Sequence, residues 1–132
     1  MASVRKQERI HAVATAIARA ADADRRLRQA AAERLGVGAT DFDALLLLDT
    51  TGPLAAGRIA EAMAITTGAV TGLIDRLERA GFVQRTRHEA DRRQVLIELA
   101  PARRDPLDAH WKERDRCVAE AVGDLDDAGL AG

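Results

Sequence analysis

Thr67, Gly68, Thr71, Gly72, Asp75, Arg76 and Arg79 recur at steps that place them along one side of a helix. The opposite side is an apolar stripe of Val70, Leu73, Ile74, Leu77 and Ala80. Glycines and threonines at the start of such a helix let it approach the base edges of a DNA duplex closely. Threonine adds a hydroxyl and a methyl that suit thymine. Thr66 or Thr67 is the expected cap, and the free N–H groups of a helix N-terminus attract phosphate. The bland alternative is that these small polar residues only cap the helix. A second cluster follows. Arg85 and Arg87 point to one side of an alternating segment, and Arg92 and Arg93 stand in a polar tip beside Asp91. Two adjacent guanidinium forks fit a narrow minor groove, with Asp91 supporting one of them in an extended pose. The alternative for this cluster is a merely solvated turn.

The charge distribution agrees with a docking face. Net charge is −1, but residues 1–34 carry +4, residues 35–65 carry −3, residues 66–104 carry +3 and residues 105–132 carry −5. A basic middle and an acidic end suit a molecule that sets one face on a polyanion. Against this stands the near-absence of lysine: only Lys6 and Lys112 are not arginine among the 20 basic residues, which scattered coding bias also explains. The three large aromatic residues, Phe42, Phe82 and Trp111, are too few for a single-strand surface built on base stacking. Cys117 is the single cysteine, so no internal disulfide forms and a reducing cytoplasm is the default. The apolar run Leu45 to Leu48 is far too short to cross a bilayer, and no apolar signal core follows Arg5 and Lys6.

The elements that must position these residues follow from periodicity. Residues 3–35 predict one long, alanine-rich helix with Ile10, Val13, Ala14, Ile17, Ala21 and Leu27 on a shallow apolar side, ended by Gly36 and Gly38. A helix of that length implies a partner helix. A second, buried helix is expected over Asp41–Asp49 with Thr40 as N-cap, broken by Thr51-Gly52-Pro53. A short third covers about Ala55–Met63 with Leu54, Ile59 and Met63 inward, and the fourth ends at Gly81. The period then changes to two over Phe82–Arg87 and Val95–Leu99, a hairpin with its tip at His88 to Gln94. A last helix runs over about Asp105–Leu125 with Leu107, Trp111, Val118, Ala121, Val122 and Leu125 on one side, and Asp126 to Gly132 is expected to fray. The fold class is mainly α with a small β-hairpin, a winged helix-turn-helix in which the fourth helix reads a major groove.

The stretch Leu54–Leu99 resembles the MarR family of winged-helix regulators. The matching pieces are Ile59-Ala60-Glu61, the helix opening Thr66-Thr67-Gly68-Ala69-Val70-Thr71, the run Leu73-Ile74-Asp75-Arg76-Leu77-Glu78-Arg79-Ala80-Gly81-Phe82-Val83, and the wing Asp91-Arg92-Arg93 followed by Val95-Leu96-Ile97-Glu98-Leu99. The resemblance implies one domain over residues 1–132, with 1–35 and 102–125 as dimerisation helices and 40–99 as the DNA-binding part. It implies a homodimer on a pseudo-palindromic double-stranded operator, acting as a ligand-responsive repressor. A small aromatic or phenolic effector would then sit near Phe42, Leu46 and Trp111. The chain departs from the family pattern at Gly72, where a basic or polar residue is common, and at Ala100 and Arg103. Asp105-Pro106 reads as a fresh cap and first-turn proline, so the last helix is expected to start late or kink there.

Other chemistry finds little support. His11, His88 and His110 lack Cys or carboxylate neighbours at metal-ligand spacing, so no metal or cofactor is expected. Cys117 has Arg114 and Arg116 nearby, but Asp115 and Glu120 offset them, which favours a passive thiol over a redox sensor. No phosphate loop, nucleophile elbow or convergent acid pair appears, so no enzyme is expected. The rival reading is a winged helix used for protein–protein contact with no operator of its own. A wing of that kind has no need of paired arginines.

Overall fold

The computed structural model describes residues 2–127, so residues 128–132 of the expected frayed end lie outside the described residues. In chain order the elements are α1 (Ala2–Leu35), α2 (Ala39–Thr51), α3 (Ala56–Met63), α4 (Thr67–Arg79), β1 (Val83–Arg87), β2 (Val95–Leu99), a 3₁₀ turn at Pro101–Arg103, and α5 (Arg104–Asp127). The order and types of the elements match the winged helix-turn-helix expectation. Residues 32–108 form one compact unit, and the described residues up to 31 and from 109 form a second.

The unit 32–108 is built on α2, whose Phe42, Ala44, Leu45, Leu46 and Leu48 are all buried. Apolar residues on nearly every side of a helix demand neighbours on every side. They are supplied by α3, which also packs on α4, and by the antiparallel pair β1–β2. Ile59 and Ala60 of α3, Val70, Leu73, Ile74 and Leu77 of α4, and Val83, Ile97 and Leu99 of the hairpin close the core. In the hairpin Val83 pairs with Leu99 and Arg85 with Ile97, so Arg85 shares its sheet face with buried residues. Leu54 forms a two-way bridge to Ile97, N–H to carbonyl at 3.0 and 2.7 Å, adding a residue of strand beside the hairpin.

Several local expectations are corrected. Thr40 is not the cap of α2. The helix begins two residues earlier, at Ala39, with Gly38 in the cap position and no side-chain cap. It also runs on to Thr51, because Gly52 at φ +82° donates its N–H to Leu48 O at 2.8 Å and ends the helix one step later. Asp105 does not cap α5. The 3₁₀ turn leads directly into Arg104, and Pro106 lies in the first turn, where its missing N–H is not needed. Asp126 and Asp127, expected to fray, belong to α5. Ala80 is exposed at the C-cap of α4 and is not part of its buried stripe.

In the other unit α1 and α5 are long helices with shallow apolar sides. Val4, Ile10, Val13 and Ile17 of α1 are exposed by 57, 51, 42 and 64%, and Val118 and Val122 of α5 are also exposed. His110 is buried and stacks edge-on with half-buried Trp111 at 5.5 Å, and the Arg114 guanidinium lies 4.5 Å over the Trp111 ring. No described helix is long and apolar enough to cross a membrane.

Candidate nucleic-acid interface

The start of α4 is set by Thr66, whose backbone is extended and whose Oγ1 accepts the Ala69 N–H at 3.1 Å. Its end is set by Gly81 at φ +81°, which lets Phe82 N–H reach back to Leu77 O at 2.9 Å. Between them Thr67, Gly68, Thr71, Arg76 and Arg79 are exposed, and Gly72 is half-buried. The Thr71 hydroxyl donates to Thr67 O at 2.9 Å. Its hydrogen is therefore occupied within the helix, leaving its lone pairs and methyl outward.

The arginines divide into engaged and projecting ones. Arg76 sends a two-pronged fork to Asp41, Nη2 to Oδ1 at 2.9 Å and Nε to Oδ2 at 3.1 Å. Asp41 lies in the first turn of α2 and is 7% exposed, and its hydrogen bonds and charge hold Arg76 protonated above its already high ordinary pKa. Arg85 reaches back from β1 to α4, bonding Glu78 at 2.6 Å and Asp75 at 2.9 Å. The hydrogen bond to Asp75 is the main cause of its raised pKa. Arg87 donates to the carbonyl of Arg92 at 2.7 Å and so braces the wing tip.

At that tip the turn is closed from inside. His88 Nδ1 accepts the N–H groups of Ala90 and Asp91 at 3.1 and 3.2 Å, and Asp91 Oδ1 accepts the Arg93 N–H at 3.0 Å. Asp91 also stands 3.6 Å from Arg93 Nε, while the Arg93 side chain is 95% exposed. Arg92 is likewise exposed. The wing is thus a braced loop with two outward guanidinium groups.

One unit, 32–108, holds Thr66, Thr67, Gly68, Thr71, Gly72, Arg76, Arg79, Arg85, Arg87, Asp91, Arg92 and Arg93. Phe42 and Leu46 lie in its core at 0 and 8% exposure, whereas Trp111 belongs to the other unit. Sequence reasoning missed the acidic partners. Asp75 and Glu78 carried a signal, since a three-residue spacing on α4 puts both on one side within reach of a strand that follows. Asp41 is 35 residues from Arg76 and gave none. It also missed Arg103, which packs 4.7 Å over the Phe82 ring and donates to Ala80 O at the end of α4 at 3.4 Å. Among the described residues no group of three or more His, Cys, Asp or Glu side chains could hold a metal ion.

Comparisons with known proteins converge on this region. The MarR family model matches residues 38–95. The chain is 39% identical over 97 residues to the HTH-type transcriptional regulator YcgE of Bacillus subtilis, covering 74% of this chain and 60% of YcgE. It is 37% identical over 90 residues to YkoM of the same organism, covering 68% of this chain and 58% of YkoM. The chain thus spans about three fifths of the length of these curated relatives. Among solved structures, RV1404 from Mycobacterium tuberculosis shares the fold at a TM-score of 0.69 and 22% identity, over 89% of this chain and 79% of its own. AbfR, solved in its reduced form bound to DNA, shares it at a TM-score of 0.58 and 21% identity, over 89% of this chain and 80% of its own. With the winged-helix elements in place and residues 38–95 matched, this chain belongs to the MarR family.

Proposed function

We propose that this protein is a sequence-specific double-stranded-DNA-binding transcriptional regulator. In this reading it acts in the cytoplasm as a homodimer, and as a repressor released by a small aromatic or phenolic effector. The observation that carries the DNA reading is the braced wing, in which Arg92 and Arg93 project while Arg87, His88 and Asp91 hold the turn. Projecting cations on a rigid support suit a narrow minor groove, and the capped start of α4 suits the adjoining major groove. The fold shared with AbfR supports the same reading. The homodimer is supported by the exposed apolar side of α1, where Ile10, Val13 and Ile17 stand one turn apart in water. The assignment as a non-enzyme rests on family membership.

The test is a salt titration of binding to a duplex selected by the protein from a random library, and to a mixed-sequence duplex. DNA binding predicts affinity that falls linearly in log–log form with salt, and tighter binding to the selected duplex. No binding to either duplex at low salt, with the protein folded, leaves the winged helix as a protein-contact module.

A further inference from the structure

Gly72 departs from the MarR pattern, and the Arg76 side chain passes close to it. A Cβ on Gly72 would stand 3.4 Å from Nη1 of Arg76, so the Arg76 side chain runs back over Gly72 towards the start of α4. From there its fork closes on Asp41, at 2.9 and 3.1 Å, on a different helix. Asp41 has a side-chain exposure of only 10%, against 59% for Arg76. The carboxylate is therefore the fixed partner and the arginine the one drawn to it. An exposed arginine on the groove side of a recognition helix would otherwise bind any phosphate it met. Such contacts raise affinity for every sequence equally and carry no information.

We propose that Asp41 is a specificity-determining positioning residue: by holding Arg76 across Gly72 it withholds one cation per protomer from the DNA backbone. Recognition then rests on Thr67, Gly68 and Thr71 and on the projecting wing arginines. This inference rests on the DNA-binding reading above. A phosphate must compete with a two-pronged hydrogen bond to a nearly buried carboxylate. The exchange would also strand the Asp41 charge away from water. Bulk water and salt reach the pair mainly from the Arg76 side, so it is screened less than an ion pair exposed on both sides.

The test compares wild type, Asp41→Asn and the double variant Asp41→Asn/Arg76→Gln in salt titrations against a mixed-sequence duplex. Asp41→Asn is expected to steepen the log–log salt slope by about one unit per protomer and to raise affinity roughly five- to tenfold at 0.1 M salt. The double variant loses that gain. An Asp41→Asn protein that folds but keeps the wild-type slope, or loses affinity at every salt concentration alike, overturns the proposal. A measurement on wild type stands apart from any folding defect. The side-chain Nε–H resonance of Arg76 in NMR spectra is expected to keep its position when the mixed-sequence duplex is added, and a shift there overturns the proposal. Wild type that binds no duplex removes the DNA reading itself, whereas wild type that binds with these signatures missing removes only the role of Asp41.

Discussion

A guanidinium held by a carboxylate contributes to geometry, and one held out in water is available to a ligand; the arginines of this protein fall into both kinds. Arg85 is tied to Asp75 and Glu78, so its contribution to DNA binding passes through the angle between wing and recognition helix. Arg93 is 95% exposed and stands 3.6 Å from Asp91. Arg92→Ala and Arg93→Ala are therefore expected to weaken binding to selected and mixed-sequence duplexes together, with a salt slope lowered by about one unit per protomer for whichever residue meets phosphate. Arg85→Ala is expected to change the slope less than Arg93→Ala, because its charge is already matched within the protein. The same salt titrations check both. Cys117 is half-buried on α5. Cys117→Ser is expected to leave DNA affinity unchanged with and without peroxide, and an oxidant response lost through this substitution alone identifies a sensor.

Elements are held in place by their ends as much as by their packing. The Thr66 cap satisfies one of the four N–H groups that the first turn of α4 leaves without helical partners. Thr66→Ala is expected to lower stability by about 1 kcal/mol, with Thr66→Asp restoring most of it. Urea unfolding followed by circular dichroism checks this. The same substitution loosens the turn that carries Thr67 and Gly68, so sequence discrimination should fall with stability. At the other end of α4 only a residue that adopts φ +81° can turn the chain into β1. Gly81→Ala is expected to destabilise by about 1 kcal/mol or more, because an L side chain is strained there whatever space surrounds it.

At the scale of the molecule, exposed Val4, Ile10, Val13 and Ile17 on α1 leave an apolar side in contact with water along the first half of the helix. Such a side is normal for an obligate oligomer and costly for a monomer. Under the homodimer proposal the melting temperature rises with protein concentration. Ile10→Glu together with Ile17→Glu is expected to shift sedimentation to the monomer and lower the melting temperature. A variant that stays dimeric and equally stable rules out this side as the interface. Loss of the dimer should also cost far more DNA affinity than loss of one wing arginine, since two linked half-sites bind with an effective concentration that a single half-site lacks.

The local pattern of this chain was enough to determine its helices, its hairpin and the face of α4 turned to solvent. Helical and strand periods arise between near neighbours, and so do stops such as Thr66, Gly81 and Gly52-Pro53. The weak points were positions where the signal was not local. Ala64 ends α3 at φ +55°, a conformation no alanine advertises, and the Ile65 N–H there reaches back to Ala60 O at 3.0 Å. Only the tertiary structure decided which arginines are free. Arg76, Arg79, Arg85, Arg87, Arg92 and Arg93 look alike in sequence, yet Arg76 meets a carboxylate 35 residues earlier and Arg85 meets two on the preceding helix. Charge pairing of that kind depends on where the backbone brings two side chains together. Residue type says only that an arginine will find a partner, and the fold chooses between a carboxylate of the protein and a phosphate outside it.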